Sequence, residues 1–166
     1  MDDFKVINDG YGHDYGNVIL KEFAVFLQTN FSDTAEIFRF GGDKFVILLG
    51  GTDADNIYSV LDSLLARAQL PKTVMDRSFY CTLSIGIVRF PESYGDGREI
   101  VKNADIAMYE AKKMGKNNYV FFTHTLNNDS VARAEIEKAM REAIEDNFTG
   151  FDAHYQPLVD HDGSIV

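Results

Sequence analysis

Apolar side chains recur along this chain with two periods, and the switches between them mark out its elements. From His13 to Asn30 the apolar positions Ile19, Leu20, Phe23, Phe26 and Leu27 fall on one face of a 3.6-residue repeat, which predicts an amphipathic helix. Ala35–Phe40 and Phe45–Leu49 are short, β-prone apolar runs separated only by GGDK, Gly41 to Lys44, which predicts a β-hairpin. Gly50 and Gly51 close the second run, and Thr52 or Asp53 is placed to cap a helix with the core face Ile57, Val60, Leu61, Leu64 and Leu65. After Pro71 a loop leads to Cys81, Leu83, Ile85 and Ile87, which alternate with Thr82, Ser84 and Gly86 as a half-buried strand does. A loop with Pro91 follows. Arg98 to Met114 then predicts a helix, with Ala104, Ala107 and Ala111 small enough for close packing and Gly115 placed to end it. Asn118 to Phe122 reads as a strand.

The two ends of the chain are less regular. Met1 to Gly12 is too short for a full element before Gly10, though Asp3 is placed to cap one helical turn through Phe4, Ile7 and Asn8. Near the other end the polar stretch THTLNNDS, ending at Ser130, breaks the pattern ahead of a helix from Val131 to Asp146. Its apolar side carries Ile136, Ala139, Met140, Ala143 and Ile144. Phe151 to Val159 is a strand candidate, Asp160 to Gly163 a turn, and Ile165 the beginning of a returning strand. Helix, hairpin, helix, strand, helix, strand is an α+β order. It fits a ferredoxin-like unit with an antiparallel-rich sheet and helices packed on it, provided one strand precedes Met1. Parallel neighbours in such a sheet would be joined by right-handed crossovers.

Composition narrows the function. The 166 residues suffice for one compact domain plus an appendage. Hydrophobic residues at 45% and charged residues at 25% are the profile of a globular protein in water. No run approaches the ~20 apolar residues of a membrane helix, and Met1 is followed by Asp2 and Asp3 where a secretion signal would be basic. A net charge of −10 repels nucleic-acid backbones and anionic membranes. A nucleotide ligand stays possible, since a few local cations override that field. The single cysteine, Cys81, sits in an apolar alternating run, excludes an internal disulfide framework, and fits a reduced, cytoplasmic setting as a buried thiol.

Four motifs stand in order along the chain: DDFKVINDGYGHDYGN from Asp2, RFGGDKF from Arg39, SIG from Ser84, and AMYEAKKMGKN from Ala107. Together they resemble the GGDEF family over residues 1–124. Members of that family are diguanylate cyclases, which join two GTP molecules into cyclic di-GMP, each domain of a dimer presenting one GTP. The resemblance implies a nucleotide-cyclase-like fold. It also implies Mg²⁺ held by Asp43 and by the backbone carbonyl of Met1. Asn8, with Asn17, would hydrogen-bond the base. Lys112 and Lys116 would reach the phosphates, and the backbone of Asp3 and Phe4 with Lys5 would complete the phosphate cradle. Gly41 and Gly42 would let backbone approach the ligand. The chemistry suits these residue types: phosphoryl transfer needs triphosphate charge neutralised and the attacking hydroxyl aligned, and Mg²⁺ prefers oxygen ligands. His13 matches a family histidine and is expected to organise the start of the following helix.

This sequence also departs from the family pattern. The first aspartate of the opening motif aligns before Met1, so the resemblance implies that one metal carboxylate and most of the first strand are missing. Lys44 stands where the motif has glutamate. Unit charges ~4 Å apart interact by roughly 4 kcal/mol at an effective dielectric of about 20, and a dication about doubles this, so Lys44 is expected to oppose the metal. Asn17 replaces an acidic base contact and loses a charge-assisted bond. Ser32 and Ala35 occupy the positions of an inhibitory product site, which is therefore expected to be absent.

The last segment, with Tyr155, Gln156 and Pro157, resembles the opening of an EAL phosphodiesterase domain, and the chain stops short of that family's metal-binding glutamate. The expected organisation is a GGDEF domain over 1–124, a linker and connector helix over 125–146, and the beginning of an EAL domain over 147–166. The expected function is a degenerate, GTP-binding module that regulates an EAL phosphodiesterase. The alternatives are a working diguanylate cyclase, or a ligand-free spacer or homodimerisation unit.

Overall fold

The computed structural model describes residues 1–31, 35–50, 56–89, 96–152, 154–155, 157 and 160–162. The chain divides into two compact units, Met1–Leu126 and Asn127–Val166. In the first, α1 (Phe4–Tyr11) and α2 (His13–Asn30) precede a hairpin of β1 (Glu36–Gly41) and β2 (Lys44–Leu48). Next come α3 (Ile57–Ala68), β3 (Lys72–Val74), β4 (Arg77–Phe79), β5 (Ser84–Ile87), α4 (Gly97–Lys113) and β6 (Asn118–Phe121). A long helix, α5, spans His124–Glu145. The architecture is the α+β one expected. Among the described residues the strands form three pairs: β1 with β2 and β3 with β4 antiparallel, β5 with β6 parallel.

α2 forms as its periodicity predicts. Tyr15, Ile19, Phe23 and Leu27, spaced four apart, are buried together with Gly16 and Leu20. They enter two apolar clusters. One joins Phe4, Tyr15, Ile19 and Leu20 to Val74, Phe79 and Cys81. The other joins Phe23 and Leu27 to Leu64, Leu65 and Ala68 of α3 and to Leu83. Met1 and Phe45 pack against both. Burying each such large side chain contributes about 1.5–3 kcal/mol, so α2 is the spine of both clusters, while α4 packs on β5 and β6.

Two glycines set the closest approaches. A Cβ on Gly16 would lie 1.9 Å from Asn8 Oδ1 and 3.1 Å from Phe4 Cζ, so α1 and α2 meet only because position 16 has no side chain. A Cβ on Gly86 would lie 1.9 Å from the Ala104 carbonyl oxygen and 2.4 Å from the Met108 nitrogen. α4 therefore rests directly on the β5 backbone, with Ala107 and Ala111 fully buried beneath it. Asp96 caps α4, its Oδ1 accepting from the amides of Arg98 and Glu99 at 2.9 and 3.1 Å.

Several expectations are corrected. The N-terminal segment is a full two-turn helix that runs through Gly10 and ends at Gly12, where φ is +85°. Asp3 stands in the cap position but in the left-handed region, with no side-chain capping bond. α2 begins at the same Gly12, whose carbonyl accepts from the Gly16 amide at 3.2 Å, and His13 is exposed. The segment after Pro71 is not a loop but the hairpin β3–β4, turning through Met75 and Asp76 at φ 48° and 61°. Three-residue strands are too short to show alternation, and Met-Asp is not a turn pair the sequence rules single out. The alternation from Cys81 is a regular strand only over Ser84–Ile87. The polar stretch before Val131 is helical, being the start of α5. Thr52 and Asp53 lie outside the described residues, and the cap position of α3 is held by Asn56. Phe151, Asp152, His154, Tyr155 and Pro157 of the tail form no strand; the rest of that segment, Gln156 included, and the strand expected at Ile165 lie outside the described residues.

Two outcomes test this packing. Gly86→Ala should lower stability by ~1–3 kcal/mol through overpacking against α4, read as a fall in the thermal midpoint. Cys81 is buried and free, and burial first of all pushes its thiol pKa up. A thiol reagent at pH 8 should therefore leave Cys81 unmodified in the native protein and label it rapidly in urea.

Candidate nucleotide site

The site is organised around Asp2. This side chain is only 4% exposed. Its Oδ1 accepts from Ser84 Oγ at 2.7 Å, and its Oδ2 accepts from Thr82 Oγ1 at 2.8 Å and from the Asn117 amide at 3.3 Å. Its own amide donates to the Thr82 carbonyl at 2.9 Å. A buried carboxylate is tolerable because donors surround it. One side chain thus ties the start of the chain to the approach to β5 and to the turn after α4. The motif reading did not single out Asp2; the signal available was the second aspartate of the opening motif, close in sequence to the apolar Phe4.

On one side of this tie lies the hairpin turn. Gly41 and Gly42 take φ of +154° and +53°, and a Cβ at either would meet nothing within 4 Å, so the need there is conformational. Arg39 locks the turn by donating from Nε and Nη2 to the Gly42 carbonyl at 3.2 and 3.0 Å. Pairing is irregular between Arg39 and Gly41, a bulge that re-aims the tip. Asp43 follows, 30% exposed. The group of Met1 that the structure puts on Asp43 is its ammonium, which donates to the Asp43 carbonyl at 3.1 Å and lies 3.5 Å from Oδ2.

On the other side lies the turn after α4. Gly115, Lys116 and Asn117 are successively left-handed, at φ 107°, 63° and 47°. Lys116 Nζ donates to both oxygens of Asp3 at 2.7 and 3.0 Å. That hydrogen bond raises the Lys116 pKa, so the ammonium stays charged through neutral pH. Lys112 is half-buried in the last turn of α4, and among the described residues it has no carboxylate partner. Since Met1 touches the hairpin and Asp3 touches Lys116, the two halves are bridged by three residues, a span of at most ~8 Å between terminal Cα atoms. Asp3, Phe4, Asp43, Gly41, Gly42 and Lys116 are thereby brought to one corner. The N-terminus of α1, without a side-chain capping bond, follows directly on this bridge, and a helix N-terminus favours anions. Lys5 is exposed on the first turn of α1.

Asn8 sits where α1 crosses α2. Its Oδ1 is buried, packed over Gly16, and has no hydrogen-bond partner among the described residues. An orphaned acceptor of this kind costs about 1–3 kcal/mol. Asn17, next to Gly16, is exposed and is not gathered into a hydrogen-bonded set with Asn8.

Lys44 behaves differently from the expectation of a charge opposing Asp43. Its ammonium donates to both oxygens of Asp105 on α4, at 2.8 and 2.9 Å. The positive charge is therefore held on α4 by a carboxylate 61 residues away in sequence. Sequence reasoning missed Asp105 altogether. For a divalent cation, no group of three or more His, Cys, Asp or Glu gathers among the described residues. Asp43 offers one carboxylate, which suits Mg²⁺ only in the mode in which waters and substrate phosphates supply the remaining oxygens.

An α+β fold with a glycine hairpin and a cationic helix end at one corner defines a nucleotide-cyclase-like protein. Residues 1–118 match the family described as diguanylate cyclase, GGDEF domain, and the chain belongs to that family. Among curated relatives, the signaling protein YkoW of Bacillus subtilis is 37% identical over 93% of this chain and 19% of its own length. The bifunctional diguanylate cyclase/cyclic di-GMP phosphodiesterase MucR of Pseudomonas aeruginosa is 34% identical over 96% of this chain and 23% of its own. The chain thus spans about a fifth of these relatives. The X-ray structure of an EAL/GGDEF domain protein from M. capsulatus superposes with a TM-score of 0.68 at 39% identity, covering 74% of this chain and 79% of that one. No helix among the described residues is long and apolar enough to cross a membrane.

Asp2→Ala should cost on the order of 3 kcal/mol, because it leaves buried donors unmatched. Asp3→Ala, at the exposed pair, should leave the urea midpoint close to that of the parent. Equal losses for the two variants would contradict the central role given to Asp2.

Proposed function

We infer that this chain is a guanine-nucleotide-binding module of cyclic di-GMP signalling that regulates an attached EAL phosphodiesterase and turns over GTP poorly. The observation that carries it is the orphaned, buried Oδ1 of Asn8. A guanine base presents N–H donors on its Watson–Crick edge, and Asn8, only half-buried as a residue, would turn its partnerless acceptor out from over Gly16 to meet such an edge. The α1 N-terminus, Lys112 and Lys116 would then meet the phosphates, and Asp43 would hold Mg²⁺. When bound, the metal neutralises triphosphate charge. The Gly41–Gly42 turn keeps side chains out of the way of the ligand. Poor turnover follows from the acidic inventory: with lysine at 44, the hairpin offers one carboxylate, and a two-step condensation needs the metal firmly placed at the α-phosphorus.

The pairing with an EAL phosphodiesterase is supported by relatives such as MucR, whose likeness extends over 96% of this chain and whose name carries both activities. The signature Tyr155–Pro157 is consistent with an EAL domain following α5. A second reading, an active cyclase, draws on the Lys44–Asp105 pair, which takes the lysine charge off Asp43.

Calorimetric titration should show GTP binding with Mg²⁺, at least about tenfold tighter than ATP, and Asn8→Ala should weaken GTP about tenfold, the loss of one well-made buried hydrogen bond. No heat up to millimolar GTP would replace this reading with a ligand-free spacer. Steady accumulation of cyclic di-GMP from GTP and Mg²⁺ by the full-length protein would replace it with the active cyclase.

A further inference from the structure

We propose that Asp105 is a positioning residue for the hairpin: it draws the Lys44 ammonium onto α4 and so keeps a second positive charge, beside the Met1 ammonium 3.5 Å away, off the Asp43 carboxylate that would serve a nucleotide-bound divalent cation. The inference rests on the nucleotide-binding reading above and extends it to a residue that no motif assigns to the site.

The geometry is specific. Lys44 begins β2, directly after Asp43. Phe45 and Ile47 pack toward the apolar cluster with α2 and α3. Alternation along the strand therefore sends Lys44 to the opposite face. There it meets Asp105, on the same helix as Ala104 and Ala107, which hold α4 against the β5 backbone. Both carboxylate oxygens accept from Nζ, at 2.8 and 2.9 Å. The partners are 40% and 47% exposed, so this pair is a weak source of fold stability. Its consequence is where the charge resides. A lysine stem is long and flexible. With Asp105 replaced by an uncharged side chain, the closest carboxylate in sequence to the freed ammonium is that of Asp43, which already has the Met1 ammonium 3.5 Å from Oδ2. A second ammonium there would add to that of Met1 in competing with a dication, and would repel one that has already bound. Asp105 thus decides where the charge of the hairpin lysine lies, and the effect of either side chain is read only against the other.

The test is a double-mutant cycle in the full chain: parent, Asp105→Asn, Lys44→Gln, and both together. For each, GTP affinity is measured with Mg²⁺ and with EDTA, and the ratio of the two is the readout, because it isolates the metal from base and phosphate contacts. Thermal midpoints are recorded in parallel; all four should agree within a few degrees. Asp105→Asn should reduce the Mg²⁺ enhancement about tenfold and leave affinity in EDTA within about twofold. Lys44→Gln should match or exceed the parent, and adding Asp105→Asn to it should change nothing further. The exchange Lys44→Asp with Asp105→Lys should retain the enhancement. If Asp105→Asn keeps the parent's Mg²⁺ ratio, or lowers it equally in the Lys44→Gln background, the positioning role is overturned while nucleotide binding stands. If the parent binds GTP in neither condition, the nucleotide-binding reading fails, and this inference falls with it.

Discussion

The buried carboxylate of Asp2 is the constraint on which the rest of the site depends. A charge at 4% exposure is costly unless donors surround it, and the donors come from distant segments: the hydroxyls of Thr82 and Ser84 and the amide of Asn117. Satisfying that one group brings the start of α1, the beginning of β5 and the turn after α4 into register. The Asn118 amide then donates to the Leu83 carbonyl at 3.1 Å, and the parallel β5–β6 ladder continues from there. The loss of any one donor would leave the carboxylate undersatisfied, so these segments hold their places together.

Around this tie the molecule separates its charges. Lys116 is held by Asp3, Lys44 by Asp105 and Lys113 by Glu110, while Lys112 keeps no carboxylate partner among the described residues. In a chain of net charge −10, an anionic ligand needs a local exception to the overall field. The turn after α4 supplies one beside the uncapped end of α1. The same corner contains the glycine hairpin, whose tip is shaped by Arg39 and by a bulge. Close approach recurs as a device: Gly16 admits Asn8, and Gly86 admits α4. In both places a backbone without a side chain sets the distance between elements.

Much of the fold was legible in the residues. The α2 face, the GGDK hairpin, the core of α3 and the small-residue face of α4 emerged from local periodicity, because a helix or hairpin buries what its own repeat presents. The β3–β4 hairpin was not legible, since three-residue strands carry too little pattern and the Met75–Asp76 turn adopts left-handed angles without glycine or asparagine. The helix through Gly10 was missed because packing of Phe4 against α2 outweighs the propensity penalty of one glycine. Of the candidate site, the motifs named Asp3, Asp43 and Lys116, which the structure brings to one corner, and Asn17, which it leaves apart from Asn8; the behaviour of Lys44 was misjudged. Its charge was referred to its sequence neighbour Asp43 and not to a partner on another element.

The amino-acid sequence alone therefore determined the family, the order of the principal helices and hairpin, and the candidate residues that the structure gathers beside the hairpin turn. These depend on spacing within a few turns or on motifs read in order. Tertiary structure alone decided which charges meet: Asp2 with Ser84 across 82 residues, Asp3 with Lys116 across 113, and Lys44 with Asp105 across 61. Such pairings are consequences of how packed elements lie against one another. An ion pair or a buried hydrogen bond carries no periodic signature along the chain, so nothing local in the sequence announces it.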